Sequence, residues 1–462
     1  MEHDLIAALA TPLASAALAV IRTSGDHCIE TVARLTDQPD TIAAGTGGSI
    51  RRVMIIDPES GQPVDEVMIA IFRQPRSYTG EDVAEISCHG SVPGVRRLLE
   101  ILFGNGFRPA DPGEFTQRAF LAGKIDLTRA EAVQEIVSSQ TAVGHEMALR
   151  RLGGSIEETV REITNDLVRI MARVAIQLDY PEEETGEIPI DRETITDVRK
   201  RLDVLAASYR TGRLYQEGVT VAIAGRTNAG KSSLFNAFLK EDRAIVSDIH
   251  GTTRDYISGR VDFGGIPVEI YDTAGLRETV ESIEEEGIRR TRTLVDGTDL
   301  VVYLVDGTAG LTAEDDQILA DTGCSGDSTG KTPRRVIPVW NKIDAEMCKE
   351  PPRAACGKPF SRVSATTMAG VAELVQRIVA EITPNQPTRS GAPMIDSLRQ
   401  KNLIDRAVTA LDEVLAGLNA TVPVDAISVD LQEALHALGE ITGEVTSEDI
   451  LDAVFSGFCV GK

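Results

Sequence analysis

Aromatic residues make up only 4% of this 462-residue sequence, so its cores must be packed from Leu, Ile, Val and Ala. Paired cysteines are missing. Cys28, Cys88, Cys324, Cys348, Cys356 and Cys459 form no C-x-x-C pair and no zinc spacing. That excludes a zinc finger or ribbon, and scattered thiols in a long chain fit a reducing, cytoplasmic setting. Long apolar runs are absent too, since none approaches the ~20 residues needed to span a bilayer. The run in "DLIAALATPLASAALAVIR" has no basic region before it and is broken at Arg22, so no secretory signal is expected. Positive charge is in short supply: 47 Lys and Arg face 71 Asp and Glu, a formal net charge of -24. This disfavours broad adhesion to nucleic acid or anionic membrane and leaves room only for a local basic groove. No internal repeat is visible.

What is present is enough for several domains. Residues 1–120 read as α+β. Strands are expected at "AALAVIRTS", "VMIAIF" and "VAEISCHG", followed by the helical run "VRRLLEILFGNGF". Residues 121–215 read as helical, with capping boxes at Thr128/Glu131 and Ser155/Glu158. Ile156, Val160, Ile163, Leu167, Ile170 and Val174 recur at steps of four and three, one stripe of a long helix. Residues 216–383 alternate strands ("VTVAIAG", "VEIYDTAG", "LVVYLVD", "RVIPVWNKID", "SRVSA") with helices. This predicts an α/β domain with a mostly parallel sheet. "RVDF" and "IPVEIYD" flank Gly264-Gly265, a two-residue hairpin turn. Residues 384–462 are helical again, with stripes at Ile404, Ala407, Leu411, Val414 and Leu418 and at Leu431, Leu435 and Leu438. The economical reading is a helical domain with the α/β domain inserted in it.

The α/β block carries the chemistry. "GRTNAGKS", Gly225 to Ser232, is a G-x-x-x-x-G-K-[ST] loop between a strand and a helix. Its glycines let backbone N–H groups surround phosphate oxygens at a helix N-terminus. Lys231 would bind the β- and γ-phosphates, and Ser232 a Mg²⁺ ion. "GTTRD" adds Thr253 as a second Mg²⁺ ligand. In "DTAG", Asp272 can hold Mg²⁺ through water, and the Gly275 N–H can sense the γ-phosphate. In "NKID", the Asp344 carboxylate matches the two N–H donors on the guanine edge, which adenine does not offer. Ser364 and Ala365 supply a backbone contact to the base. Together these predict a GTP/GDP site that includes Asn228, Ala229, Gly230, Lys231, Ser232 and Ser233 and Asp272, Thr273, Ala274 and Gly275. Asn341, Lys342, Asp344, Ser364 and Ala365 complete its base side, and Thr253 joins from the intervening loop. Leu276 stands where Ras-like enzymes place a water-orienting glutamine, so another group must position the water.

Over nearly its full length the chain resembles the MnmE (TrmE) tRNA modification GTPases. The resemblance rests on "YTGEDVAEISCHG", "PGEFTQRAFLAGKIDLTRAEAV", "LDYPEEE", "GRTNAGKSSLFNAF", "IVSDIHGTTRD", "DTAGLRET" and the terminal "FCVGK". It implies a folate-binding-like N-terminal domain that forms a homodimer, a helical domain, and a P-loop GTPase domain inserted in it. It implies an FAD-dependent partner, MnmG (GidA), with FAD only on that partner. The pair would form 5-carboxymethylaminomethyl or aminomethyl uridine at the tRNA wobble position, using a one-carbon unit from a 5-formyl or 5,10-methylene tetrahydrofolate. It implies that Ser247, Asp248, Ile249, His250, Gly251 and Thr252 belong to the GTP/GDP site as well. It implies potassium activation, with K⁺ held by Asn228, Ser247, Ile249 and Thr252, and Glu284 as the water-orienting carboxylate. Folate would draw on Arg22, Glu81, Lys124 and Lys462. The catalytic groups would be Glu284 and Lys231 for the nucleotide and Cys459, close enough to the folate ligand to take part in modification chemistry; a buried structural cysteine is the plainer alternative. Two stretches depart from the family: "PLASAALAV" replaces a glycine-rich segment, and "CHGS" replaces "CHGG". A regulatory GTPase switch without folate chemistry, and a folate-binding scaffold with a vestigial GTPase, are the competing readings.

Overall fold

The computed structural model describes residues 4–179, 190–240, 257–272, 298–323, 335–354, 357–383, 393–420 and 422–462. The chain packs as two compact units. One holds residues 1–137, 149–201 and 403–462, the other 138–148 and 202–402.

The first unit begins with a six-stranded sheet of β1 (Ile6–Leu9), β2 (Leu18–Ser24), β3 (Ser49–Ile56), β4 (Pro63–Phe72), β5 (Val83–His89) and β6 (Arg108–Pro109), in the order β3-β4-β5-β2-β1-β6. All pairings are antiparallel except β1 with β6. Alternation along the strands turns Ile21, Val53, Ile55, Val67, Ile69, Ile71 and Ile86 to one face. There they meet Val95, Leu98, Ile101 and Leu102 of the helix Val92–Gly104. Ser91 caps that helix, its Oγ accepting from Gly94 N at 3.2 Å. This is the serine that replaces a family glycine, and it has found a helix-capping role. Gly90 before it must stay glycine, because an added Cβ would lie 2.5 Å from the Ala16 carbonyl oxygen. The altered "PLASAALAV" stretch is thus held against the sheet, Ala16 N donating to Gly90 O at 3.0 Å.

The helical part of this unit follows the expected stripe. Ile156, Val160, Ile163, Leu167, Ile170 and Val174 are all at most 3% exposed along the helix Ser155–Asp179. That helix packs on Val424–Thr442, which turns in Leu431, Ala434, Ala437 and Leu438. The capping expectation at Thr128 is corrected. Asp126 caps the helix Leu127–Ser138, accepting from Arg129 N at 2.9 Å and from the Thr128 hydroxyl at 2.7 Å. A carboxyl two residues earlier wins because its oxygen is placed where the orphan N–H groups point.

The second unit contains β7 (Val219–Gly225), β8 (Ile257–Phe263), β9 (Ile266–Asp272), β10 (Leu300–Asp306), β11 (Arg335–Asn341) and β12 (Ser361–Arg362). Their order is β12-β11-β10-β7-β9-β8, parallel throughout except for the β8–β9 hairpin. That hairpin turns at Gly264 and Gly265 with φ of 66° and 89°, the conformation a two-residue turn requires. The central strands are apolar on both faces, and buried clusters cover each face. This unit also takes in residues 138–148 and 202–215, beyond the 216–383 block.

Candidate functional site

The nucleotide block assembles at one end of the parallel sheet. β7 runs into the loop 226–230 and then the helix Lys231–Lys240, as the motif requires. Gly225, Asn228 and Gly230 adopt φ of 143°, 63° and 96°, which curl the loop back on itself. Lys231 lies across the loop, its Nζ donating to the carbonyl oxygens of Gly225 and Arg226 at 2.8 and 2.9 Å. Burial pushes its pKa down, with Asp272 acting against that shift. Ser232 and Ser233 stand exposed in the first helical turn. Asp272 is buried at the end of β9. An exposed hydroxyl at a helix start with a buried carboxylate on the next strand is a donor set that suits Mg²⁺.

The base side is tied to the loop through Asn341. Its Nδ2 donates to Ala229 O at 2.8 Å, and its Oδ1 accepts from Ala365 N at 3.2 Å. Gly230 has to be glycine here, since a Cβ would sit 2.2 Å from Asn341 Nδ2. Lys342 takes φ of 66° and its Nζ pairs with Asp306 at 2.6 Å. Asp344 is exposed beside it, and Ser364 is buried, accepting from Thr367 N at 3.1 Å. Ser247, Asp248, Ile249, His250, Gly251, Thr252, Thr253, Thr273, Ala274, Gly275 and Glu284 lie outside the described residues. Among the described residues no cluster of three or more His, Cys, Asp or Glu could hold a metal by itself.

A second site lies in the first unit, where the C-terminal tail docks. Arg22 on β2 pairs with Glu85 at 2.8 Å, and its Nη1 donates to the Gly461 carbonyl at 3.0 Å. Its guanidinium sits 5.9 and 5.7 Å from the ring centroids of Tyr78 and Phe115. Gly461 bends the tail with φ of 96°, and a Cβ there would lie 2.6 Å from Leu9 O. Phe455 and Phe458 anchor the same segment, both at most 7% exposed. Burial, then the charge of Arg22, pushes the Lys462 ammonium below its usual pKa. Cys459 is exposed, so the buried structural cysteine is excluded; it is flanked by an anchoring ring and an exposed Val460.

Glu81 faces a cavity of about 660 Å³, also lined by Asp4, Gly80, Arg108, Glu114 and Arg118. Lys124 lies over Gly80, with its Nζ donating to Pro75 O at 2.7 Å. Ser24 Oγ donates to Glu81 at 2.7 Å, and Arg22 shares that face of β2 two residues away. The structure therefore gathers Arg22, Glu81, Lys124 and Lys462 on one side of the sheet, although only Glu81 lines the cavity. Sequence reasoning missed Arg118, the hub of this cluster. Its spacing of four from Glu114 on one helix was the available signal.

A family description, MnmE helical domain, matches residues 127–459. The chain belongs to the MnmE family. A second description, GTP-binding protein TrmE N-terminus, matches residues 5–124, so the two MnmE-type matches meet where the sheet domain ends. A tRNA modification GTPase MnmE of Treponema denticola is 41% identical over 99% of this chain and 98% of its own length. Those of Borrelia recurrentis and Carboxydothermus hydrogenoformans are each 38% identical over 100% of this chain, covering 99% and 100% of their own lengths. Among solved structures, the G domain of the T. maritima FeoB protein aligns over 99% of its length with 36% of this chain at 27% identity. Its TM-score of 0.26 is too low to carry an argument.

Proposed function

We propose that this MnmE-family chain hydrolyses GTP to GDP and phosphate in the modification of tRNA. Its product would be 5-carboxymethylaminomethyl or aminomethyl uridine at the wobble position, made with the FAD-dependent partner MnmG and a tetrahydrofolate one-carbon unit. The observation that carries this reading is the bracing of the phosphate loop by Asn341 beside an exposed Asp344. It supports a reading in which phosphate cradle and guanine reader share one frame. In that frame Lys231 draws the β- and γ-phosphates toward the loop amides. Ser232 and Asp272 would hold Mg²⁺, which offsets charge on the phosphate oxygens. Asp344 accepts the paired N–H donors of guanine. Asn228, exposed in the loop with positive φ, suits the K⁺ reading; Ser247, Ile249 and Thr252 would complete it by the family resemblance. Glu284 would orient the water. Arg22, Glu81, Lys124 and Lys462 would receive folate, with Cys459 close by.

A homodimer fits the first unit. Leu18, Ile50 and Met68 stand 64%, 57% and 43% exposed, and the strand register puts them on the sheet face opposite the helix Val92–Gly104. A cytoplasmic location fits a tRNA enzyme, and among the described residues no helix is long and apolar enough to cross a membrane.

The test is mass spectrometry of tRNA nucleosides from cells lacking the chain, complemented with wild type, Lys231→Ala or Cys459→Ser. The C5-modified wobble uridine should vanish on deletion and return with wild type but not with Lys231→Ala. If Cys459→Ser restores it, the thiol has no part in the chemistry. If deletion leaves the nucleoside untouched, the modification role fails and a regulatory switch replaces it.

A further inference from the structure

The cavity beside Glu81 is walled by a charge cluster whose parts come from four separate segments. Arg118, on the helix Glu114–Leu121, is its centre. Its Nη1 donates to Glu81 Oε1 and Oε2 at 3.1 and 3.0 Å and to Asp4 O at 3.0 Å. Its Nη2 donates to Asp4 Oδ1 at 2.7 Å and to Glu114 Oε1 at 2.8 Å, and its Nε to Glu114 Oε1 at 3.3 Å. Every nitrogen of the planar guanidinium is engaged, so its orientation is locked by three residues at once. Arg108 braces the far side, donating to Asp4 at 2.5 Å and to Glu114 at 2.6 Å. Three carboxylates thus share two guanidiniums, and the side chains of Glu81 and Arg118 are only 13% and 12% exposed.

We propose that Arg118 is a positioning residue of the ligand site: it aims Glu81 as an acceptor for the paired N–H donors on the aminopyrimidinone edge of a reduced pterin. The proposal rests on the folate reading of this cavity. Its physical basis is geometric. Nη1 of Arg118 reaches both Glu81 oxygens while Ser24 Oγ donates to Oε2 at 2.7 Å, and the two contacts together fix the carboxylate plane. Without Arg118, Glu81 would face Asp4 and Glu114 with Arg108 as the nearer cation. Asp26 lines the same cavity, Lys124 lies over Gly80, and Arg22 stands two residues from Ser24 on β2. Burial works to raise the Glu114 pKa, but hydrogen bonds from Arg108 and then Arg118 hold that carboxyl below its usual range.

Titration calorimetry with 5-formyltetrahydrofolate on the full chain tests this at pH 8 and pH 5.5, for wild type, Arg118→Gln, Arg118→Lys and Glu81→Gln. Wild type should bind with little change between the two pH values. Arg118→Gln should lose about 10-fold or more at pH 8. The loss should be present at pH 5.5 as well. Arg118→Lys, which keeps the charge and loses the planar guanidinium, should recover part of the affinity. Glu81→Gln should be weak at both pH values. Melting curves confirm that each variant is folded, and Arg118→Lys keeps the test open if Arg118→Gln is not. Arg118→Gln binding within twofold of wild type at both pH values overturns the proposal. So does an equal loss at both pH values with Glu81→Gln binding normally, since Arg118 would then serve the fold alone. No binding by wild type overturns the folate reading itself and is told apart by that first measurement.

Discussion

The two sites of this chain are built in opposite ways. The nucleotide site takes its cradle from one contiguous stretch, Gly225 to Ser232, whose shape is set by three positive-φ residues and one lysine lying across its own loop. The site in the first unit joins Asp4, Arg22, Glu81 and Arg118 to the tail, and its tail bond links residues 439 positions apart. The first uses backbone groups, which every sequence has, so only the spacing of Gly, Lys and Ser needs to be specified. The second uses side-chain charges, which need partners brought from far along the chain. The cradle therefore depends on distant segments chiefly through the Asn341 brace, whereas the assembled site should fail whenever any contributing segment moves.

Four measurements press on that difference. The largest effect is expected for Lys231→Ala, which should lower GTP hydrolysis by about 10²–10³-fold while leaving 5-formyltetrahydrofolate binding as in wild type. A loss of both would join the two sites and break the comparison. Next is Asn341→Ala, which strips a buried partner from Ala229 O and Ala365 N. A cost of about 1–3 kcal/mol per orphaned group should appear as at least about a 10-fold weaker GDP affinity by fluorescence titration. Gly461→Ala follows. Its added Cβ meets Leu9 O, and positive φ in a non-glycine residue costs about 1–3 kcal/mol. The tail should release, read as faster removal of Lys462 by a carboxypeptidase; unchanged protection would mean that Phe455 and Phe458 alone hold it.

The smallest effect is a pH slope. Burial opposes ionisation of Asp4 and Glu114, but hydrogen bonds from Arg108 and Arg118 outweigh it and hold both pKa values down. Groups with lowered folded pKa values contribute stability above the unfolded carboxylate range and lose it as pH falls through the folded values. Urea midpoints for the first unit's transition should therefore drop between pH 5 and pH 3, and Arg118→Gln should flatten that drop. An unchanged slope would show that the cluster contributes little to stability.

Much of the fold was legible because periodicity reports burial directly. The stripe from Ile156 to Val174 was read from spacing alone and is buried as read. The strand runs "VTVAIAG" and "LVVYLVD" coincide with β7 and β10, since central parallel strands are apolar on both faces. The short strand β1 is hidden inside an apolar run without alternation, and β3 because its first half, Ile50, Arg51 and Arg52, is exposed on both faces and breaks the alternation. The Thr128 cap was misplaced by two residues because a hydroxyl and a carboxylate compete for the same N–H groups, and spacing does not say which wins.

The sequence by itself determined the secondary elements, the phosphate loop and the guanine-reading motif, because each depends on residues a few positions apart whose geometry is set by the backbone. Only the tertiary structure decided that Asn341 braces Ala229, that Arg22 clasps the tail at Gly461, that Cys459 is exposed, and that Arg118 holds Glu81. Ion pairs between distant segments carry no periodicity. Any of the many arginines and carboxylates could pair in the unfolded chain, and packing of the sheet and helices selects the pairs that form.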